Sequence, residues 1–181
     1  LPDGFLEGDT VIFNDTTDVT TVDIPSTIYP SGVTFSNSSA KTYTLASGTS
    51  SGIGGTASLV LSGTNGTVII TTPNTYTGTT TIGTGNILRL GDGTTDGSIA
   101  TTSGVVNNAV LIYNWAASHT VPYAISGNGS LIKNGAGTAS LTGINTYTGT
   151  TTLNAGELAV NGTSIADTGT VVINGGKMNL T

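Results

Sequence analysis

The chain has 181 residues, no cysteine and only 8% charged residues, and Thr, Ser, Asn and Gly together make up 96 of its positions. Its net charge is −6, and its four basic residues (Lys41, Arg89, Lys133 and Lys177) are scattered, which excludes a phosphate-binding basic patch. The lack of cysteine excludes disulfides, cysteine-zinc sites and thiol catalysis. A hydrophobic content of 36% argues against disorder, and the many Thr, Val and Ile residues favour β-strands.

The first forty residues contain short strand-like segments separated by turn residues. The segments are 9–13, 19–24 and 32–35, with 41–45 following them, and Pro25 and Pro30 punctuate the series. Short β-branched runs bounded by Pro, Gly and Asn are typical of all-β proteins. We therefore expect these segments to belong to the same structure as the rest of the chain.

One internal repeat dominates the middle of the chain. Residues 74–82 read Asn-Thr-Tyr-Thr-Gly-Thr-Thr-Thr-Ile, and residues 145–153 repeat them with Leu in place of Ile, 71 positions later. Shorter strand-like segments that open with Gly follow at 129–133, 169–173 and 176–180. Repeats of this kind indicate a solenoid, in which each rung contacts only its neighbours. Dividing the offset by three predicts rungs of about 24 residues.

The predicted fold is all-β: a right-handed parallel β-helix (β-solenoid) of roughly seven or eight rungs. We expect one domain over residues 1–181, part of a longer repeat protein, with the strongest repeat units at about 66–99 and 137–160. Gly and Asn suit the bends, and Val, Ile, Leu and Thr stack on like residues of the next rung. The flanks are expected to carry hydrated hydroxyl and amide groups.

Residues 125–149, followed by 150–158, resemble the passenger-associated strand repeat of bacterial autotransporters. The specific part is Asn145-Thr-Tyr-Thr-Gly149 with the later Ala155-Gly-Glu-Leu158, and the copy at 74–90 resembles it as well. The resemblance implies a right-handed parallel β-helix that is exported and used as the stalk or scaffold of a surface protein. Thr150 stands where the family often has a second Gly.

Few residues suggest chemistry. His119 is the single histidine, and no serine stands in a Gly-x-Ser-x-Gly motif, the nearest being Ser126. We interpret His119 as a surface-loop residue beside Trp115. The turn from Asp92 to Asp96 offers oxygen ligands for calcium but lacks the further acids of a dedicated loop, so a Gly-rich turn with solvated acids is the favoured alternative.

The repeated Tyr76 and Tyr147 are predicted to pack at bends with hydrogen-bonded hydroxyls, although sugar stacking is an alternative. Asn74 and Asn145 are predicted to bond the backbone of turns. Alternation places the side chains of Thr146, Thr148, Thr150 and Thr152 on one face, as in ice-binding β-helices. The two copies of this Thr motif lie too far apart in sequence to be adjacent, which argues against ice binding.

The sequence therefore predicts a non-enzymatic stalk or adhesive passenger region of a bacterial surface or secreted autotransporter-like protein, extracellular or associated with the outer membrane. No catalytic, cofactor-binding or metal-binding residue is predicted. The alternatives are a self-assembling subunit of an extracellular fibre and, less favoured, a β-helix enzyme acting on polysaccharide. Expected partners are further copies stacked end to end, or cell-surface or matrix glycans; nucleic acid and direct membrane insertion are not expected.

Overall fold

The computed structural model describes residues 7–161, 165 and 169–180. These residues form strands and turns, with no helix among them. The strands are β1 (Thr10–Phe13), β2 (Thr21–Asp23), β3 (Gly32–Phe35), β4 (Thr42–Ala46), β5 (Ser58–Leu61), β6 (Thr67–Ile70), β7 (Thr80–Ile82), β8 (Ile87–Leu90), β9 (Val105–Asn107), β10 (Val110–Asn114), β11 (His119–Val121), β12 (Ile125–Ser126), β13 (Ser130–Asn134), β14 (Thr138–Leu141), β15 (Thr151–Leu153), β16 (Glu157–Val160), β17 (Val171–Ile173) and β18 (Lys177–Leu180).

The strands stack into three parallel sheets that wrap one core. Sheet 1 has the order β1-β3-β5-β7-β9-β12, and sheet 2 has the order β2-β4-β6-β8-β10-β13-β15-β17. Sheet 3 has the order β11-β14-β16-β18. The eight strands of sheet 2 correspond to eight rungs, so the predicted all-β parallel solenoid of seven or eight rungs is confirmed. The right-handed sense agrees with the general preference of parallel crossovers and stays a prediction, as does the single domain over 1–181.

The rungs are unequal, and most are shorter than the predicted 24 residues. The spacing between paired residues is 26 for Gly32 and Ser58 but 19 for Thr138 and Glu157. In the C-terminal half most spacings are 20, as between Leu131 and Thr151. The longer rungs of the first half accommodate their additional residues in turns between the sheets.

The 71-residue repeat is not a whole number of rungs. In the first copy the Thr-Thr-Ile strand is β7 in sheet 1, whereas in the second copy the Thr-Thr-Leu strand is β15 in sheet 2. The segment 145–148 occupies the sheet 1 position below β12, since the amide of Thr146 donates to the carbonyl of Ile125. The repeat thus spans three rungs and one further face. The assumption that it divides evenly into rungs was wrong.

Inward side chains form columns along the rod. In sheet 2 one column runs through Val68, Leu88, Leu111 and Leu131, which are paired strand to strand and fully buried. Like residues stacked at about 4.8 Å exclude water along the whole column. The predicted stacking of aliphatic side chains is therefore confirmed. No helix in the described part of the chain is long and apolar enough to cross a membrane.

Candidate functional surfaces

The side-chain carboxylate of Asp92 accepts hydrogen bonds from residues of its own turn. One carboxylate oxygen, Oδ1, accepts hydrogen bonds from the amides of Thr94 (2.8 Å) and Thr95 (2.7 Å) and from Oγ1 of Thr94 (2.7 Å). The bonds from Thr95 and Thr94 hold the pKa of Asp92 below its usual range. This local loop conformation is an Asx turn, which a carboxylate at this position favours.

Asp96 bonds to the next rung, and not to the Asp92 turn. Its Oδ1 accepts from the amide of Ala116 (2.7 Å), and its Oδ2 accepts from the amide of Ala117 (2.9 Å) and lies 2.9 Å from Nε2 of His119. Burial disfavours the charged form of Asp96, but the bonds from His119 and the two amides outweigh it and lower its pKa. Asp96 therefore ties two rungs together at a corner.

Asp92 and Asp96 are close in sequence, but their side chains do not converge on one site. Asp92 and Asp96 each bond to different groups, and no cluster of three or more metal-binding side chains occurs among residues 7–161, 165 and 169–180. A hard cation such as calcium requires several convergent oxygens. The geometry gives no support to a calcium loop here.

The interpretation of His119 as a loop residue was wrong. His119 belongs to strand β11, where it pairs with Ala139, and its side chain is 31% exposed. Its ring lies 4.7 Å from that of Trp115, which is buried and donates from Nε1 to the carbonyl of Gly97 at 2.7 Å. No serine approaches His119 among the hydrogen bonds of the described residues, and Ser126 bonds the carbonyl of Val105. His119 thus serves to join rungs.

The repeated tyrosines face inward, as predicted. Tyr76 and Tyr147 are each 1% exposed, and their hydroxyls lie 2.7 Å and 2.6 Å from Oγ1 of Thr80 and Thr151. Burial raises the pKa of both phenols. Their rings are thus closed to sugar stacking, and the same internal hydrogen bond recurs in both copies of the repeat.

The repeated asparagines bond backbone groups, as predicted, but the amides they bind lie in a bridge and a strand of the preceding rung and not in turns. Oδ1 of Asn74 accepts from the amide of Ile53 at 2.8 Å, and Oδ1 of Asn145 accepts from the amide of Ile125 at 2.7 Å. Nδ2 of Asn74 also donates to the carbonyl of Ser98 at 3.1 Å, so this side chain bridges three successive rungs. A buried amide that satisfies backbone groups specifies the register of the stack.

Lys133 is a feature that the sequence analysis missed. It is fully buried in an inward column of sheet 2, paired with Tyr113 above and Leu153 below. Its Nζ donates to the carbonyls of Asn134 and Gly135, the latter at 3.0 Å. Burial lowers the pKa of this ammonium, and the negative charge of Asp96 opposes the shift. Backbone carbonyls thus replace the water that a lysine normally keeps.

A ladder of asparagines along one corner of sheet 2 was also missed. Nδ2 of Asn154 donates to Oδ1 of Asn134 at 2.9 Å, and Nδ2 of Asn174 donates to Oδ1 of Asn154 at 2.8 Å, each pair 20 residues apart. Asn114 pairs with Asn134 at the same position of the preceding rung. The 20-residue spacing of these asparagines is visible in the sequence and would have given the rung length.

Comparisons with known proteins match one repeat family and one curated relative. Residues 131–160 match the family described as the passenger-associated-transport-repeat. A protein of Brucella suis biovar 1 (strain 1330), named adhesin BmaC autotransporter, is 43% identical over 84 residues, which is 46% of this chain and 2% of that protein. The chain therefore matches only a small part of that relative. No solved structure gives a significant match.

Proposed function

We propose, from the match of residues 131–160 to the passenger-associated-transport-repeat family, that the chain forms a non-enzymatic rod within a surface-exposed or secreted bacterial protein. The observation that carries the proposal is the inward use of its polar groups. Asn145 and Asp96 bond neighbouring rungs, and Tyr147 bonds Thr151 within its own rung. A chain whose polar groups are used in this way contributes its shape and its outer surface to the protein.

Adhesion is the activity we propose for that surface, because the curated relative is named an adhesin. Its targets are proposed to be cell-surface or matrix glycans, contacted over many rungs. The outward hydroxyls of Thr34 and Thr81, which lie on alternate strands of sheet 1, offer the weak repeated hydrogen bonds that such binding needs. Many weak contacts add through multivalency.

The test is surface display in a non-adherent bacterium. The 181-residue chain is fused between an epitope tag and a membrane anchor, and a β-solenoid of equal rung number without this repeat serves as the control. We expect the tag to be accessible on the cell surface and cells to attach to glycan-coated plates more than the control does. Equal attachment of both strains would leave a stalk role and reject the adhesive one.

Enzymatic activity on polysaccharide is tested separately. Acidic glycans are incubated with the purified chain with and without calcium, alongside Asp92→Asn and Asp96→Asn. We expect no turnover in any case. Turnover that disappears in either variant would overturn the non-enzymatic proposal.

A second candidate is end-to-end assembly. In the described residues, β2 and β17 are the outermost strands of sheet 2. Ile173 is 53% exposed on β17, and at the opposite end Val22 and Ile24 line a cavity of about 980 Å³. Unpaired parallel edges with apolar side chains accept further strands, from neighbouring rungs or from another copy. Sedimentation at micromolar concentration is the test, since a sharp monomer boundary would reject fibre formation.

A further inference from the structure

Five asparagines of this chain are followed directly by glycine, a pair in which the next backbone nitrogen can attack the asparagine side chain. They are Asn65, Asn128, Asn134, Asn161 and Asn174. The glycine after Asn161 lies outside the described residues, which leaves four pairs to compare. The attack joins the glycine nitrogen to Cγ of the asparagine, and glycine favours it because it has no Cβ to hinder the approach.

In three of these four pairs the glycine amide already donates a hydrogen bond. The amide of Gly66 donates to Oδ1 of Asn86 at 3.0 Å, and the amide of Gly129 donates to the carbonyl of Asn107 at 2.8 Å. The amide of Gly175 makes a longer bond, of 3.3 Å, to a carbonyl of β15. A nitrogen that holds a hydrogen bond must give it up before it attacks, which slows the reaction at these pairs.

The contacts of the fourth pair, Asn134 and Gly135, are different. No turn or loop hydrogen bond of the described residues has the amide of Gly135 as its donor. Nζ of Lys133 donates to the main-chain carbonyl of Asn134, which belongs to the same peptide group as the attacking nitrogen. Nδ2 of Asn154 donates to Oδ1 of Asn134 at 2.9 Å, on the carbonyl that is attacked.

These two donors favour the changes of charge that the attack requires. When the Gly135 amide loses its proton, negative charge develops on the main-chain oxygen of its peptide group, where the ammonium of Lys133 stabilises it. When the nitrogen bonds to Cγ, negative charge develops on Oδ1, where Asn154 donates as an oxyanion-hole group does. Lys133 is fully buried, so the fold holds its ammonium in this place.

We propose that Asn134 and Gly135 form a self-modification site, at which the folded rod promotes its own deamidation. The nitrogen of Gly135 bonds to Cγ of Asn134, the Cγ–Nδ2 bond breaks, and Nδ2 leaves as ammonia with the proton that the amide lost. Water then hydrolyses one of the two C–N bonds of the cyclic imide and leaves aspartate or isoaspartate at position 134. In sum, one water is consumed and one ammonia is released.

The product alters one corner of sheet 2. Aspartate at position 134 keeps an acceptor for Asn154 but adds a negative charge to the asparagine ladder. Isoaspartate also carries the main chain through Cβ, so the backbone gains one methylene group where β13 stacks on β15. The modification therefore marks the age of the rod, and it does not depend on what the rod binds.

Peptide mapping by mass spectrometry tests the site. The full chain is incubated at pH 7 in water enriched in oxygen-18, which labels only the products that form during the incubation. We expect Asn134 to deamidate at least about tenfold faster than Asn128, which corresponds to about 1.4 kcal/mol of activation free energy. Asn128 is the matched site within the same chain, because its glycine amide is hydrogen-bonded. Equal rates at the two sites would overturn the proposal.

Lys133→Met tests the role of the ammonium, because methionine keeps an unbranched side chain without the charge. We expect the rate at Asn134 to decrease by about tenfold while the rate at Asn128 stays the same. Lys177→Met is the control, since that lysine is 69% exposed, and it should change neither rate. An unchanged rate at Asn134 in Lys133→Met would reject the activating role of the lysine.

The native chain in urea separates the effect of the fold from that of the local sequence, and this measurement requires no variant to fold. Unfolding removes the contacts that Lys133 and Asn154 make with Asn134. We therefore expect Asn134 and Asn128 to react at equal rates in urea. A preference for Asn134 that persists there would show that its neighbours in sequence cause it, and the proposal would be wrong.

Discussion

The hydroxyl of Tyr147 lies 2.6 Å from Oγ1 of Thr151, and both side chains are 1% exposed inside the rod. The corresponding pair of Tyr76 and Thr80 has the same geometry at 2.7 Å, although it sits on a different sheet. The repeat therefore specifies a corner and the strand that follows it. Which face of the rod that corner occupies is decided by the number of residues between the copies.

Tyr147→Phe is expected to destabilise the protein by about 1–3 kcal/mol, because the buried hydroxyl of Thr151 loses this partner. The double variant Tyr147→Phe/Thr151→Val should recover part of that loss, since both polar groups are then removed. Urea unfolding with linear extrapolation measures the difference. Thr152→Val, the outward neighbour on the same strand, should change stability by no more than about 0.5 kcal/mol. An equal effect of the Tyr147 and Thr152 changes would contradict the inward role of Tyr147.

The strands and the internal bonds of the repeat were predictable from sequence because their signals are local. Short β-branched runs and turn residues fix the strands, and a tyrosine repeated with its Asn and Thr neighbours indicates a packed corner. The rung length was not obtained, because a long identity at 71 residues was taken as a whole number of turns. The 20-residue spacing of Asn134 and Asn154 was the better measure, since amide ladders form only between adjacent rungs.

The burial of Lys133 and the outward position of Ile132 depend on how β13 pairs with its neighbouring strands, and the sequence of one strand does not reveal that pairing. In Ser130–Asn134, alternation places either Leu131 and Lys133 or Ile132 inside, and a lysine is rarely the buried choice. The pairing of Leu131 with Thr151 and of Lys133 with Leu153 settles the question. Outward Ile132 follows from the same register.

The two acids near residue 94 are expected to respond differently to amide substitution. Asp92 uses one oxygen for all its bonds within the turn, so Asp92→Asn keeps an acceptor in place and should change stability little. Asp96 uses both oxygens, so Asp96→Asn places an amide nitrogen where Ala116, or Ala117 together with His119, needs an acceptor. Thermal unfolding at pH 7 should show a clearly larger decrease for Asp96→Asn.

The loss at Asp96 should depend on pH. Its pKa is lowered in the folded state, so its stabilising contribution is present above the unfolded pKa of about 3.9 and disappears as the pH falls through the folded value. The stability difference between the native chain and Asp96→Asn should therefore shrink below about pH 4. A difference that is unchanged from pH 7 to pH 2 would contradict a role for the charged carboxylate.

Gly156 occupies the turn before β16 with a positive φ of 69°. A Cβ at this position would lie 2.4 Å from the carbonyl oxygen of Gly137 on the preceding rung. Gly156→Ala is expected to destabilise by more than about 1 kcal/mol, because both the backbone conformation and the rung spacing resist it. Gly48→Ala is the control, since a Cβ there has no heavy atom within 4 Å. Equal unfolding midpoints for the two variants would show that rungs separate easily at Gly156.

Lys133 provides a second test of pH dependence, with the same sign as Asp96 but in the alkaline range. Burial lowers its pKa, so in alkaline solution the unfolded chain binds a proton that the folded chain has released. The cost of the buried ammonium is fully present below the folded pKa and is removed as the pH rises toward the unfolded value of about 10.4. The native chain should therefore gain stability relative to Lys133→Met as the pH increases from 7 to 10.

Measurements on Lys133→Met must separate this effect from the buried phenols. Tyr113 and Tyr123, whose hydroxyls lie 3.1 Å apart, have pKa values raised by burial, so their ionisation in the unfolded chain destabilises the fold above about pH 10. Both proteins share that loss, and it cancels in the difference between them. Lys177→Met is the surface control, because that side chain is 69% exposed. If the difference between the native chain and Lys133→Met stays constant from pH 7 to 10, the ammonium is solvated and Lys133 does not occupy the core column.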